Sequence, residues 1–341
     1  VNVGPGQAPA LQEAATWEGN VAAHPGFSVE AQIESGRIKM SVGSSVRQGL
    51  SITCRTWSAV WILFLANLAI AVLTGYPIYR GIQRFTGHSL MAREMARGFS
   101  VDWLTDFTFN NPGSFDRYAT VIVCLGFVSL ALNSILAGGV LTRFKAPDLK
   151  YSLEDFLRDT RRYAWRLLRL LVIGLICYWI VFKLLNEKLG QWVDHWAGNW
   201  AGDRSVFWAH LTVSLLVVLG LGFVNLVMDY ARVRIVLGEG TGAIQAFLAS
   251  LGFSLRRLGR AIGVYVVPSF FGLALLGVYR LLFPWGFINP TIAGGSHIRE
   301  PLALASLFVV QQVVMFGRYW FRVATWASEW SYYSSTRQPL P

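Results

Sequence analysis

The residues best suited to chemistry stand together in NLVMDYARVRIV, where Asn225, Asp229, Arg232 and Arg234 fall within about three turns of a helix. Asn225 and Asp229 are one turn apart and share a face. A carboxylate inside a membrane is a functional-site hypothesis by default. Asp229, however, stands at the end of an apolar run, where an ion pair with Arg232 or with an arginine of a neighbouring loop gives a structural clamp. Four more amides, Asn67, Asn133, Gln311 and Gln312, lie inside apolar runs. They are suited to lining a solute path, although intramembrane amides more often hydrogen-bond between helices and fix packing. No Asp or Glu falls in the middle of an apolar run, so no relay of carboxylates is expected.

Other chemistry lacks its signature. There is no GxxxxGK[ST] phosphate loop, no GxSxG turn and no HExxH pair. His24, His88, His195, His210 and His297 are scattered without metal-ligand spacing, and Cys54, Cys124 and Cys177 are isolated. The sequence implies no catalytic residue, metal or cofactor, and a noncatalytic role is favoured. Trp192, Trp196 and Trp200 recur every fourth residue in QWVDHWAGNW, as an interfacial aromatic belt does.

What must position these residues is a set of membrane helices. Of 341 residues, 54% are hydrophobic and 14% charged, against roughly a quarter charged in soluble domains. Six apolar runs approach the roughly 20 residues needed to cross hydrocarbon. They are about Trp57 to Tyr76, Ala119 to Leu141, Leu167 to Leu185, Val206 to Met228, Ala261 to Phe283 and Leu302 to Tyr319. The fold predicted is an all-α transmembrane bundle of about six spans with amphipathic surface helices. Pro268 implies a kink in the fifth span.

The net charge of +11 does not point to nucleic acid, because no polar domain carries it. The basic residues follow the positive-inside rule instead. Nineteen Lys and Arg lie before the first span, between spans two and three, between four and five, and after six, while eight lie on the other side. The larger group marks the cytoplasm and places both termini there. The bilayer, with anionic lipids, is the partner this implies, and an unidentified membrane protein is a second. Residues 1–39 are rich in Gly, Pro and Ala without periodicity and read as a disordered tail or upstream extension. Residues 40–330 form the membrane domain and 331–341 a short cytoplasmic tail. HSLMAREMARGF, in the long segment between Pro77 and Tyr118, is suited to an interfacial helix ahead of the turn-rich NNPGSFD.

The two large basic loops are alike. At a constant offset of 91, Arg143 meets Arg234, Phe156 meets Phe247, Leu157 meets Leu248, Arg166 meets Arg257 and Arg169 meets Arg260. Each loop is predicted to hold a short surface helix leading into the next span, which suggests a parallel duplication. Two stretches, VRQGLSITCRTWSAVWILFLANLAIA and MDYARVRIVLGEGTGAIQAFLASLGFSLRRLGRAIGVY, resemble a group of uncharacterised bacterial six-span proteins. The second is also similar to the membrane domain accompanying some glycerophosphodiester phosphodiesterases, whose catalytic domain has no counterpart here. The missing motifs fit a noncatalytic inner-membrane protein with an organising or lipid-associated role; the alternative, a transporter or permease component for a small solute or lipid, fits the six spans and the duplication, and a membrane-embedded enzyme fits least.

Overall fold

The computed structural model describes residues 40–86, 101–148, 152–197, 203–238, 242–282 and 299–336. The helices described below all belong to one unit, Ser41–Pro341. They are α1 (Val42–Arg55), α2 (Trp57–Thr86), α3 (Val101–Asn110), α4 (Ser114–Arg143), α5 (Leu153–Val181), α6 (Leu189–Ala197), α7 (Asp203–Val236), α8 (Ala243–Arg256), α9 (Leu258–Leu282) and α10 (Arg299–Thr336). A π-helical stretch, Phe182–Lys188, joins α5 to α6. The protein is an all-α bundle. The HSLMAREMARGF segment and Trp200 lie outside the described residues, as do residues 1–39.

Five helical segments among the described residues are long and apolar enough to cross a membrane: Trp57–Arg84, Asp116–Arg143, Leu153–Trp196, Arg204–Val236 and Leu258–Leu281. Only 17 to 28% of the most apolar window in each is buried by protein. The exposed remainder, including Leu73, Phe127, Trp179, Leu219 and Phe270, needs a hydrocarbon solvent. The expected sixth span, Leu302 to Tyr319, forms the first part of α10. That helix continues to Thr336, with 323–333 buried, so residues read as a tail from 331 onward begin inside the core.

Burial is concentrated at one end of the bundle, around α1, the start of α5 and α8. Local signals set these segments. Ser41 caps α1 by accepting from Ser44 N–H. Ser152 and Asp155 form a full capping box at the start of α5. Arg143 closes α4 by donating to the carbonyls of Ala146 and Pro147 at 2.9 and 3.1 Å.

The architecture is a ring of three units rather than a duplication. Each unit has a surface segment, an outgoing span and a returning helix: α1, α2 and α4; then the two parts of α5, with α7; then α8, α9 and α10. Each returning helix packs on the next surface segment, α4 on α5, α7 on α8, and α10 back onto α1. Ser45, Gly49, Thr53, Val60 and Leu63 are buried, and so are Ala246, Ser250, Ser254, Ala261 and Val264, each 201 places later. In the middle unit Phe156 and Thr160 precede Ala246 and Ser250 by 90 places, whereas Leu167 and Leu170 precede Ala261 and Val264 by 94. The middle unit is therefore shorter by four residues, about one helical turn. That explains why α5 runs straight from surface segment into span, where α1 and α2 break at Thr56 and α8 and α9 at Arg257.

Small residues set the three ring contacts. A Cβ on Gly49 of α1 would lie 2.5 Å from the backbone nitrogen of Ser328 on α10. One on Gly139 of α4 would lie 2.3 Å from Thr160 Oγ1 and 2.8 Å from the Phe156 ring on α5. The corresponding residues of α7 and α8, Ala231 and Ser250, are both fully buried. Gly139, Ala231 and Ser328 are spaced by 92 and 97 places. The single offset of 91 thus lies between two true registers, 90 for the surface segments and 92 for the returning helices.

Gly49→Ala or Gly139→Ala should lower the melting temperature in detergent by several degrees, since overpacking costs about 1–3 kcal/mol. Gly43→Ala, whose Cβ meets nothing within 4 Å, should leave it within a degree or so. Equal melting of all three variants would contradict the ring packing.

Candidate functional site

Inside the ring is a cavity of about 680 Å³, bounded by residues of α2, α4, α5, α7, α9 and α10. It lies toward the surface-helix end of the spans, between Leu63 and Asn67 on α2 and Ser269 and Leu276 on α9. Asn133, Asn225 and Arg322 all line it, and they occupy one position in the three returning helices, again spaced by 92 and 97. Two units present an amide there and the third a guanidinium.

Asn67 and Asn133 form a reciprocal pair, each donating its Nδ2 to the other's Oδ1 at 2.9 and 2.8 Å. Each Nδ2 also reaches the carbonyl four residues back in its own helix, Leu63 and Ser129, at 2.8 Å. This joins α2 to α4 while leaving both amides on the cavity wall. Asn225 accepts from Tyr178 Oη at 3.3 Å and donates to Tyr265 Oη, linking α5, α7 and α9.

Asp229 is fully buried beneath this wall. Its Oδ1 accepts from Arg232 at 2.6 Å, Arg322 at 3.0 Å and the Trp326 indole N–H at 3.1 Å. Both guanidiniums also lie over the Trp326 ring, 6.0 and 5.0 Å from its centroid. The expected pairing with Arg232 is present, but the second arginine comes from α10, not from a neighbouring loop. Arg234, two residues beyond Arg232, is absent from the cavity lining, as are Gln311, which is exposed, and Gln312. Asp229 Oδ2 has no hydrogen-bond partner among the described residues.

Arg322, Trp326 and Glu329 were not legible as site residues, because the last apolar run ends at Tyr319. A signal was available: from 323 to 336 the chain has no Lys or Arg and reads VATWASEWSYYSST, which is unlike a basic cytoplasmic tail. Glu329 is fully buried, and neither carboxylate oxygen has a hydrogen-bond partner among the described residues. Burial, reinforced by the charge on Asp229 and opposed by Arg322 and Arg232, pushes its carboxyl well above the usual value. The structure therefore holds a second buried carboxyl, beside the expected Asp229, that the apolar runs did not reveal. Among the described residues, no group of three or more His, Cys, Asp or Glu could hold a metal ion.

Searches of protein-family models, curated proteins and solved structures find no match to this chain.

A raised folded-state value gives Glu329 a stability contribution that is complete below the usual carboxyl value of 4.5 and is lost as pH rises through the raised one. Glu329→Gln should melt close to the parent at pH 4 to 5 and several degrees above it at pH 8 to 9. A melting difference that does not change with pH would contradict a buried neutral carboxyl.

Proposed function

We propose that the chain is a noncatalytic, lipid-associated protein of a bacterial inner membrane, whose interior cavity receives an amphiphile from the bilayer. The cavity carries this reading. Its wall is apolar at Leu130, Leu171, Leu175, Leu273 and Leu276, and carries the amides Asn67, Asn133 and Asn225 and the arginines Arg232, Arg318 and Arg322. Leu130 and Leu273 line it while remaining 48% and 67% exposed, on faces suited to hydrocarbon. An apolar chain can lie along such a wall with its head group at the polar end.

In this reading α10 crosses as a sixth span, and the surface-helix end faces the cytoplasm with both termini. The basic bias supports that orientation, and Trp165, Leu157, Ile244 and Leu248, exposed beside arginines of α5 and α8, suit contact with anionic lipid. A permease component is the second reading, favoured by the repeated units around a central cavity.

Native mass spectrometry after delipidation, followed by titration with bilayer lipids, tests the function. One lipid per chain is expected to bind, and Ser269→Phe, which fills the cavity wall, should abolish binding without changing the melt. Binding unaffected by that filling would contradict the reading. For orientation, Lys150→Cys and His195→Cys in a cysteine-free background should label from opposite sides; labelling of both from one side would overturn it.

A further inference from the structure

The ring repeats its buried pattern closely, so the place where its units differ most in charge is informative. At the shared cavity position the first two returning helices carry Asn133 and Asn225, and the third carries Arg322. One turn before Arg322 is Arg318, also on the cavity wall, where the first two helices carry Ser129 and Leu221. Arg232 is the third cationic residue of the lining, and the lining contains no Asp or Glu. Behind it, Asp229 offsets one positive charge through an oxygen shared by Arg232 and Arg322. Arg318 is exposed, and no hydrogen bond or ion pair of its guanidinium is seen among the described residues. Three guanidiniums against the paired carboxylate of Asp229 and the single carboxyl of Glu329, which is fully buried behind the wall without a hydrogen-bond partner among the described residues, leave a surplus of positive charge on a wall that is otherwise apolar or neutral.

Charge in a low-dielectric setting requires a counter-charge. A guanidinium presents five N–H donors in a fork that fits phosphate and carboxylate oxygens. Arg322 is held by Asp229 and stacked on Trp326, so its fork is oriented before any ligand arrives. The Asn67–Asn133 pair and Asn225 add neutral polar atoms on the same wall. We infer that the cavity is a receptor for a phosphate-type anion, held by Arg318 and Arg322 with Arg232 as the supporting charge. This deepens the amphiphile reading above and rests on it for the ligand's apolar part. The anion itself has two chemical sources, a phospholipid head group or free phosphate.

The test is equilibrium binding to the delipidated full chain in a nonionic detergent. The probes are phosphatidic acid, phosphatidylcholine and diacylglycerol with identical short acyl chains, and inorganic phosphate as competitor. Phosphatidic acid is expected to bind at least about tenfold more tightly than phosphatidylcholine, and diacylglycerol more weakly than either, as loss of one charge-assisted contact predicts. Arg318→Gln should remove about tenfold of the preference for phosphatidic acid with an unchanged melt, while Arg318→Lys should retain most of it. Arg322→Gln is the less safe variant, because it unpairs buried Asp229.

Equal affinity for the three lipids would overturn the anion site while leaving an amphiphile cavity standing. An Arg318→Gln variant that keeps the full preference would overturn the assignment. Tight binding of inorganic phosphate, abolished by Arg318→Gln, with no lipid bound, would support the anion site and overturn the amphiphile reading. No binding of any probe would overturn both.

Discussion

A carboxylate without access to water cannot stay ionised unless cations reach it, and Asp229 meets that condition from two helices at once. Arg232 comes from its own helix, one turn away, and Arg322 from α10, 93 residues further along the chain. The contact between α7 and α10 joins the second unit to the third at the wall of the cavity. The same two guanidiniums then form part of that wall. Structure and binding chemistry are therefore not separate here: the interaction that ties two returning helices also charges the space between them. Buried ion pairs add little net stability over apolar packing, but removing one partner is costly. Such a pair is best suited to fixing which helices meet.

The remaining ring contacts are of another kind. Gly49 against Ser328 and Gly139 against Thr160 bring backbones close through small residues, the packing that serves where lipid offers no hydrophobic drive between helices. Their spacing is strict because a Cβ would intrude on a neighbouring backbone or side chain. The spans are also joined by amide contacts, Asn67 with Asn133 and Asn225 with two tyrosines.

The helical bundle was legible because apolar runs of span length are long and unambiguous. Asn67, Asn133 and Asn225 were legible for the same reason, each being a polar interruption in such a run, and Asp229 was legible as the charge that ends one. What the sequence hid was periodicity of burial across units whose side chains differ. Gly139, Ala231 and Ser328 share a position but no chemical identity, and a four-residue shortening of the middle unit shifts the register midway. The arginines that matched at an offset of 91 reflect charge bias at a membrane surface more than equivalent positions. Glu329 was hidden by its distance from the last apolar run, since α10 continues into the packed core after its hydropathy falls.

The central claim is that Asp229 and Arg322 act as one unit that joins α7 to α10. A double-mutant cycle on melting stability, with Asp229→Asn, Arg322→Gln and both together, tests it most directly. Each single change should destabilise strongly, on the order of 3 to 5 kcal/mol, because it leaves a charge buried without its full complement. The double variant should then be much less destabilised than the sum of the two, with a coupling of at least about 2 kcal/mol. Additive losses, with no coupling beyond about 0.5 kcal/mol, would contradict it.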